Sequence, residues 1–167
     1  MKIDLTPLLS GEVDEIAIDY PLTIEGSFGG VAFPDPVRVL GTVTDKAGYT
    51  ALKAKLHFRY DTVCDRCLRP VSVSGALEFS RTVALSGSLQ NEDRDEYLIA
   101  ENRMLDPDGV FTEEILLNLP MKHLCREDCK GLCQKCGKDL NEGPCTCAAK
   151  EIDPRLAGLE KLLKNKG

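Results

Sequence analysis

Residues 51–80 read ALKAKLHFRYDTVCDRCLRPVSVSGALEFS. Leu52, Ala54, Leu56, Phe58 and Tyr60 alternate with Lys53, Lys55, His57 and Arg59. A strict period of two marks a strand with one buried and one wet face. After CDRCLRP the alternation resumes, with Val71, Val73, Leu77 and Phe79 against Ser72, Ser74, Glu78 and Ser80. Two half-buried strands on either side of a short Cys-x-x-Cys segment read as an antiparallel hairpin with CDRC at its tip. That hairpin sets the fold class: α+β, built on an antiparallel sheet.

Working towards the N-terminus, VRVLGTV is a further strand, ended by the turn-like TDKAG. The first 35 residues look extended and irregular. EIAIDYPLTI has room for a strand, but Pro21 and the stretch GSFGGVAFPDP interrupt it. Towards the C-terminus, SGSLQNEDRDE is a polar, acidic loop and EYLIAEN a short strand. DPDGVFTEEILLNLP reads as one packed helix, with Asp106 as N-cap and Pro107 at the first helical position. Phe111, Ile115 and Leu119 face the sheet, flanked by Val110 and Leu117, and Glu113 and Glu114 form the solvated side. A cysteine-rich segment follows. The tail IDPRLAGLEKLLKNKG repeats the Asp-Pro start and carries Leu156, Leu159 and Leu163 on one stripe, which predicts a short terminal helix. The expected organisation is a sheet domain over 1–124, a cysteine-rich zinc segment over 125–149 and a helical tail over 150–167.

Six of the eight cysteines fall in CREDCKGLCQKCGKDLNEGPCTC, residues 125–147. The N-terminus lacks a positive region followed by an apolar block, so a secretory signal is not expected, and no apolar run approaches the roughly 18 residues of a membrane span. The expected compartment is the cytoplasm, where clustered cysteines favour metal over disulfides. Zn²⁺ takes four ligands in a tetrahedron, and structural sites are often four thiolates. Eight cysteines make two such sites. Cys133, Cys136, Cys145 and Cys147 close a zinc ribbon within the segment. Cys125 and Cys129 then find their partners in Cys64 and Cys67 on the hairpin tip. In the other division Cys129 joins the ribbon. His57 and His123 are possible substitute ligands, although exposed histidines are the simpler reading of both.

The chain has 167 residues, 43% of them hydrophobic, and a net charge of −6. A generic salt-driven nucleic-acid binder is basic overall, so RNA contact would need a local patch. Residues 53–69 supply one: Lys53, Lys55, Arg59, Arg66 and Arg69 stand against only Asp61 and Asp65. A stripe of this kind suits a phosphate backbone. The plainer alternative is a solvated sheet face, with Arg66, Arg69, Lys122, Arg126, Lys130, Lys135 and Lys138 offsetting thiolate charge. With no tryptophan, base stacking has few candidates. A catalytic zinc keeps an open position, and two four-thiolate sites leave none. No phosphate loop or serine elbow is present, and the Cys-x-x-Cys turns lack the βαβ setting of redox motifs. An enzyme is not expected.

The motifs CDRCLRPV, LNLPMKHLC, CKGLCQKCGKDLN with CTC, and DPRLAGLEKL occur in that order. In these the chain resembles the bacterial YceD-like family, linked to accumulation of large-subunit ribosomal RNA. The resemblance implies a role in ribosome biogenesis, in processing or stability of that RNA, with ribosomal RNA or a pre-large-subunit particle as partner. In distant relatives the ribbon is reduced while the hairpin Cys-x-x-Cys remains, which agrees with the first division of the cysteines. The rival expectation is a zinc-stabilised protein–protein adaptor, for instance in transcription.

Overall fold

The computed structural model describes residues 1–86 and 97–147. In chain order the elements are β1 (Ile3–Asp4), α1 (Thr6–Leu9), β2 (Glu15–Leu22), β3 (Ser27–Phe28), β4 (Val31–Ala32), β5 (Val37–Lys46), β6 (Tyr49–Val63), β7 (Pro70–Leu85), β8 (Leu98–Ala100), β9 (Met104–Leu105) and α2 (Asp108–Leu117). The architecture is mostly antiparallel sheet with few helices, an α+β fold. The long strands run in the order β2-β5-β6-β7. The small β3–β4 hairpin attaches to β6 through Ala32 and Asp61. The polar loop expected before Tyr97 falls largely outside the described residues, and the tail helix falls wholly outside them. Among the described residues no helix is long and apolar enough to cross a membrane.

The β6–β7 hairpin is the spine. Its register runs unbroken from Thr50↔Val83 to Val63↔Pro70. Leu52, Leu56 and Tyr60 are at most 2% exposed, whereas Lys53, Lys55, His57 and Arg59 are exposed. The inner face meets Val37, Val39 and Val43 of β5, Ile18 and Tyr20 of β2, and Phe111 and Ile115 of α2 in one core. Burying each large apolar side chain contributes about 1.5–3 kcal/mol. The Phe79 and Phe111 rings meet edge to face at 5.0 Å, fixing α2 under β7. Tyr20 ties β2 to the same helix, its hydroxyl donating to Asp108 Oδ1 at 2.5 Å. Burial and then the Asp108 carboxylate push the phenol far above its ordinary range, so it stays a donor.

Several expectations need correction. The first 35 residues are more ordered than their sequence suggests. Pro21 lies inside β2 opposite Arg38, because β2 is an edge strand that has no outer neighbour among the described residues to receive the missing N–H. TDKAG is mostly strand. The turn is only Ala47 and Gly48, both at positive φ (56° and 83°), as a two-residue hairpin between right-twisting strands requires. β8 lies parallel to β7 rather than antiparallel. Helix α2 starts at Asp108, with Pro107 as N-cap. Asp106 still serves that end by accepting from the Asp108 N–H at 3.4 Å. Leu117 is 81% exposed, and Glu114 is half-buried against Arg81 (3.3 Å) rather than freely solvated.

Candidate metal centres at the hairpin tip

At the end of β6 the chain turns through Cys64-Asp65-Arg66-Cys67-Leu68. The Cys64 N–H donates to the Arg69 carbonyl (2.8 Å), and the Leu68 N–H returns to the Cys64 carbonyl (2.9 Å). The later Cys133-Gln134-Lys135-Cys136-Gly137 repeats the pattern. There the Cys133 N–H donates to the Lys138 carbonyl (2.8 Å) and the Gly137 N–H to the Cys133 carbonyl (2.9 Å). Both fifth residues are left-handed, Leu68 at φ 59° and Gly137 at φ 72°. Glycine adopts that region freely, whereas leucine is strained there by roughly 1–2 kcal/mol.

These two turns seed two groups of sulfurs. Cys64, Cys67, Cys125 and Cys129 form one and Cys133, Cys136, Cys145 and Cys147 the other, with the Sγ atoms of each group within 4.8 Å of one another. Neither group includes a histidine. His57 is exposed on β6. His123 is half-buried, packed edge-on against Tyr60 at 5.5 Å with Nδ1 3.4 Å from the Tyr60 hydroxyl, which differs from the exposed position expected for it.

The sulfurs are too far apart for disulfides and well spaced for an ion. A disulfide needs about 2.05 Å. A tetrahedron of thiolates at about 2.3 Å from an ion has edges of about 3.8 Å. Cys64 and Cys129 are 3.8 Å apart, Cys67 and Cys125 3.6 Å, and Cys133 and Cys145 3.4 Å. All eight cysteines are free. Each group could hold a soft, four-coordinate metal ion.

The thiol electrostatics point the same way. Burial works against a Cys64 thiolate, but the N–H groups of Cys125, Arg66 and Cys67 outweigh it and bring this thiol down to about 6. The N–H groups of Cys136 and Lys135 bring Cys133 down to about 6. Burial and then the sulfurs of Cys129, Cys67 and Cys64 push Cys125 up to about 12. Cys136, burial and Cys133 push Cys147 up to about 12. Each group therefore sets thiols that ionise easily beside thiols that resist ionisation. A cation removes that resistance.

The segment after α2 is tied onto the hairpin tip at several points. The Asp65 N–H donates to the His123 carbonyl (2.8 Å), and the His123 N–H donates to Asp65 Oδ2 (2.6 Å). The Leu132 N–H donates to the Arg66 carbonyl at 3.0 Å. This close crossing depends on Gly131, at φ 74°, where a Cβ would lie 2.8 Å from the Arg66 carbonyl oxygen. Arg66 Nη1 donates to the Cys129 carbonyl (2.7 Å), and Arg69 pairs with Asp139 (2.8 Å) and Glu142 (2.5 Å). Sequence reasoning missed Asn141. Its Nδ2 donates to Cys129 Sγ (3.4 Å), and its Oδ1 accepts from the Lys130 N–H and from Arg126, both at 2.8 Å. No local pattern distinguishes it from an ordinary turn asparagine.

The basic stripe is in part neutralised. Lys55 pairs with Glu78 (2.9 Å) and Arg59 with Asp35 (3.0 Å), while Lys53 has no charged partner among the described residues.

The family model described as large ribosomal RNA subunit accumulation protein YceD matches residues 52–163. Uncharacterized proteins of Mycobacterium bovis and Mycobacterium tuberculosis are 32% identical over 102 residues, 60% of this chain and 49% of theirs. The chain thus spans about half the length of these mycobacterial relatives. The uncharacterized protein YlbN of Bacillus subtilis is 31% identical over 130 residues, 77% of this chain and 75% of its own length. No solved structure matches the chain.

Proposed function

The chain belongs to the YceD family, and on that premise we propose that it is a non-enzymatic zinc protein of the bacterial cytoplasm that assists accumulation or processing of large-subunit ribosomal RNA. The observation that carries this reading is the family match over residues 52–163, which includes the hairpin, α2 and both cysteine groups. One Zn²⁺ sits in each group. Both ions are structural, because four thiolates leave no position for a reacting water. The first ion fastens the segment after α2 to the hairpin tip, and the second closes a small ribbon.

The surface so held is the outer face of β6. Lys53, Lys55 and Arg59 project from it at alternate positions, with His57 between the last two, and we assign phosphate contact to the three basic residues. Their ion pairs are exposed and of the kind worth only about 0–1 kcal/mol, so a phosphate backbone can compete for them. Arg66 and Arg69 lie at the end of this stripe and hold the tip together. The acidic chain as a whole fits a role on a pre-large-subunit particle better than free-standing RNA binding.

Crosslinking in cells tests the reading, comparing the wild type with the triple charge reversal K53E/K55E/R59E. The reading expects wild-type protein to recover large-subunit ribosomal RNA or its precursor particle, with recovery strongly reduced in the variant. Recovery of a protein partner with no ribosomal RNA or particle contradicts it and favours the adaptor reading.

A further inference from the structure

Strand β7 is paired along one edge with β6 from Pro70 to Val83. On its other edge only Val83, Ala84 and Leu85 have a partner, in β8. From Val71 to Thr82 the outer edge has no β-partner among the described residues. An edge this long is ordinarily blunted by lysine, proline, a bulge or an inward charge. Residues 71–80, VSVSGALEFS, contain none of these. Their register with β6 is free of bulges. Their one charge, Glu78, is on the outward face and taken up by Lys55. Val71, Val73 and Leu77 on the inner face are only half-buried, although Val71 packs on the cysteine core and Leu77 on the main core, whereas Leu52, Leu56 and Tyr60 on the neighbouring strand are closed from solvent. The face is short of a neighbour.

We propose that β7 pairs antiparallel with β7 of a second copy of this chain about a two-fold axis at Gly75, joining the two sheets into one. The segment is matched to itself, and that selects a second copy over a foreign strand. In this register Val71 lies opposite Phe79 of the second copy and Val73 opposite Leu77. Ser72 lies opposite Glu78 and Ser74 opposite Ala76. Apolar residues meet apolar residues on the inner face, and no like charges face each other on the outer one. Gly75 itself is covered: a Cβ there would lie 2.8 Å from the Phe58 ring, so each Phe58 supplies the apolar surface that the glycine lacks. Isologous pairing of this kind closes at two chains and leaves no β7 edge for further growth.

The test uses the whole 167-residue, metal-loaded chain and two double variants in sedimentation equilibrium, with circular dichroism confirming that each is folded. Ser74 and Ala76 are both exposed, so neither change disturbs the core. The variant S74E/A76E sets two pairs of like charges across the axis, and dimerisation is expected to weaken about tenfold or more. The variant S74E/A76K sets two opposite pairs across it and is expected to dimerise at least as well as the wild type. A monomeric wild type overturns the proposal. So does a dimer that S74E/A76E leaves intact, or an S74E/A76K variant that is no better than S74E/A76E.

Discussion

The two cysteine groups share a turn, a ligand type and a spacing, yet they sit in opposite settings. In the first, Cys64, Cys67 and Cys129 are at most 4% exposed and form a small core with Val71, Leu124 and Leu132, and only Cys125 is exposed. Its members Cys64 and Cys129 are 65 residues apart. In the second, Cys133, Cys145 and Cys147 are half-buried and Cys136 is exposed, and Cys133 lies only 12 residues from Cys145. Identical chemistry therefore has two uses. The buried group closes a long loop and joins separate parts of the chain, so its ion contributes to the stability of the whole fold. The half-buried group orders chiefly its own segment, which touches the hairpin tip and the first group through Arg69 and Asn141.

The sharpest way to break this comparison is to remove one ligand from each group. Cys129→Ser should lower global stability by about 4 kcal/mol or more, the size expected when a structural metal site is lost. Cys147→Ser should lower it by only about 1 kcal/mol, because little beyond the ribbon depends on that ion. Denaturant unfolding of the metal-loaded proteins measures both, and equal losses would erase the distinction.

A smaller effect tests the crossing without touching a sulfur. Gly131→Ala adds a Cβ against the Arg66 carbonyl at positive φ and should cost about 2 kcal/mol. The same change at Gly137, which has open space around it, leaves only the backbone strain and should cost less.

Next comes Arg69→Ala, which removes the ion pairs joining the hairpin tip to the ribbon. Arg69 is about half exposed and Glu142 largely so, and the expected loss is about 0.5–1 kcal/mol. The Asn141 N–H and then the Arg69 charge hold the Asp139 carboxyl below its usual range. Its contribution is therefore full above the ordinary aspartate pKa of about 3.9 and is lost as pH falls below that value. Acid titration of stability should be shallower in Arg69→Ala than in the wild type.

The smallest expected effect is at Leu68. It occupies the left-handed position that glycine fills in the ribbon, and it is 62% exposed, so little packing is lost on truncation. Leu68→Gly relieves strain in the folded chain but loosens the unfolded one, and stability should change by no more than about 0.5 kcal/mol. A large loss would mean that the two turns are not equivalent.

What the sequence could and could not reveal follows from the range of each interaction. Alternation in 51–80 is local, and it locates β6, β7 and the Cys-x-x-Cys between them. Tetrahedral coordination needs fours, and that requirement sends the hairpin cysteines to the cysteine-rich segment for partners, but it leaves Cys129 free to join either group; only the fold places it with Cys64, Cys67 and Cys125. By contrast, Pro21 is readable as strand only once β2 is known to be an edge. The parallel β7–β8 pairing leaves no local mark in either strand. The partners of Lys55, Arg59 and Arg69 come from other strands or from the ribbon, so a stripe that looks free in sequence is partly paired in the fold. The roles of Gly131 and Asn141 exist only where two distant segments cross.

The central claim is that each cysteine group holds one zinc ion and that the hairpin cysteines belong to the first. Native mass spectrometry of the purified 167-residue chain, alongside Cys64→Ser, tests it most directly. The account predicts two zinc ions in the wild type and one in the variant. No zinc in the wild type, or two zinc ions held equally well by Cys64→Ser, would contradict it.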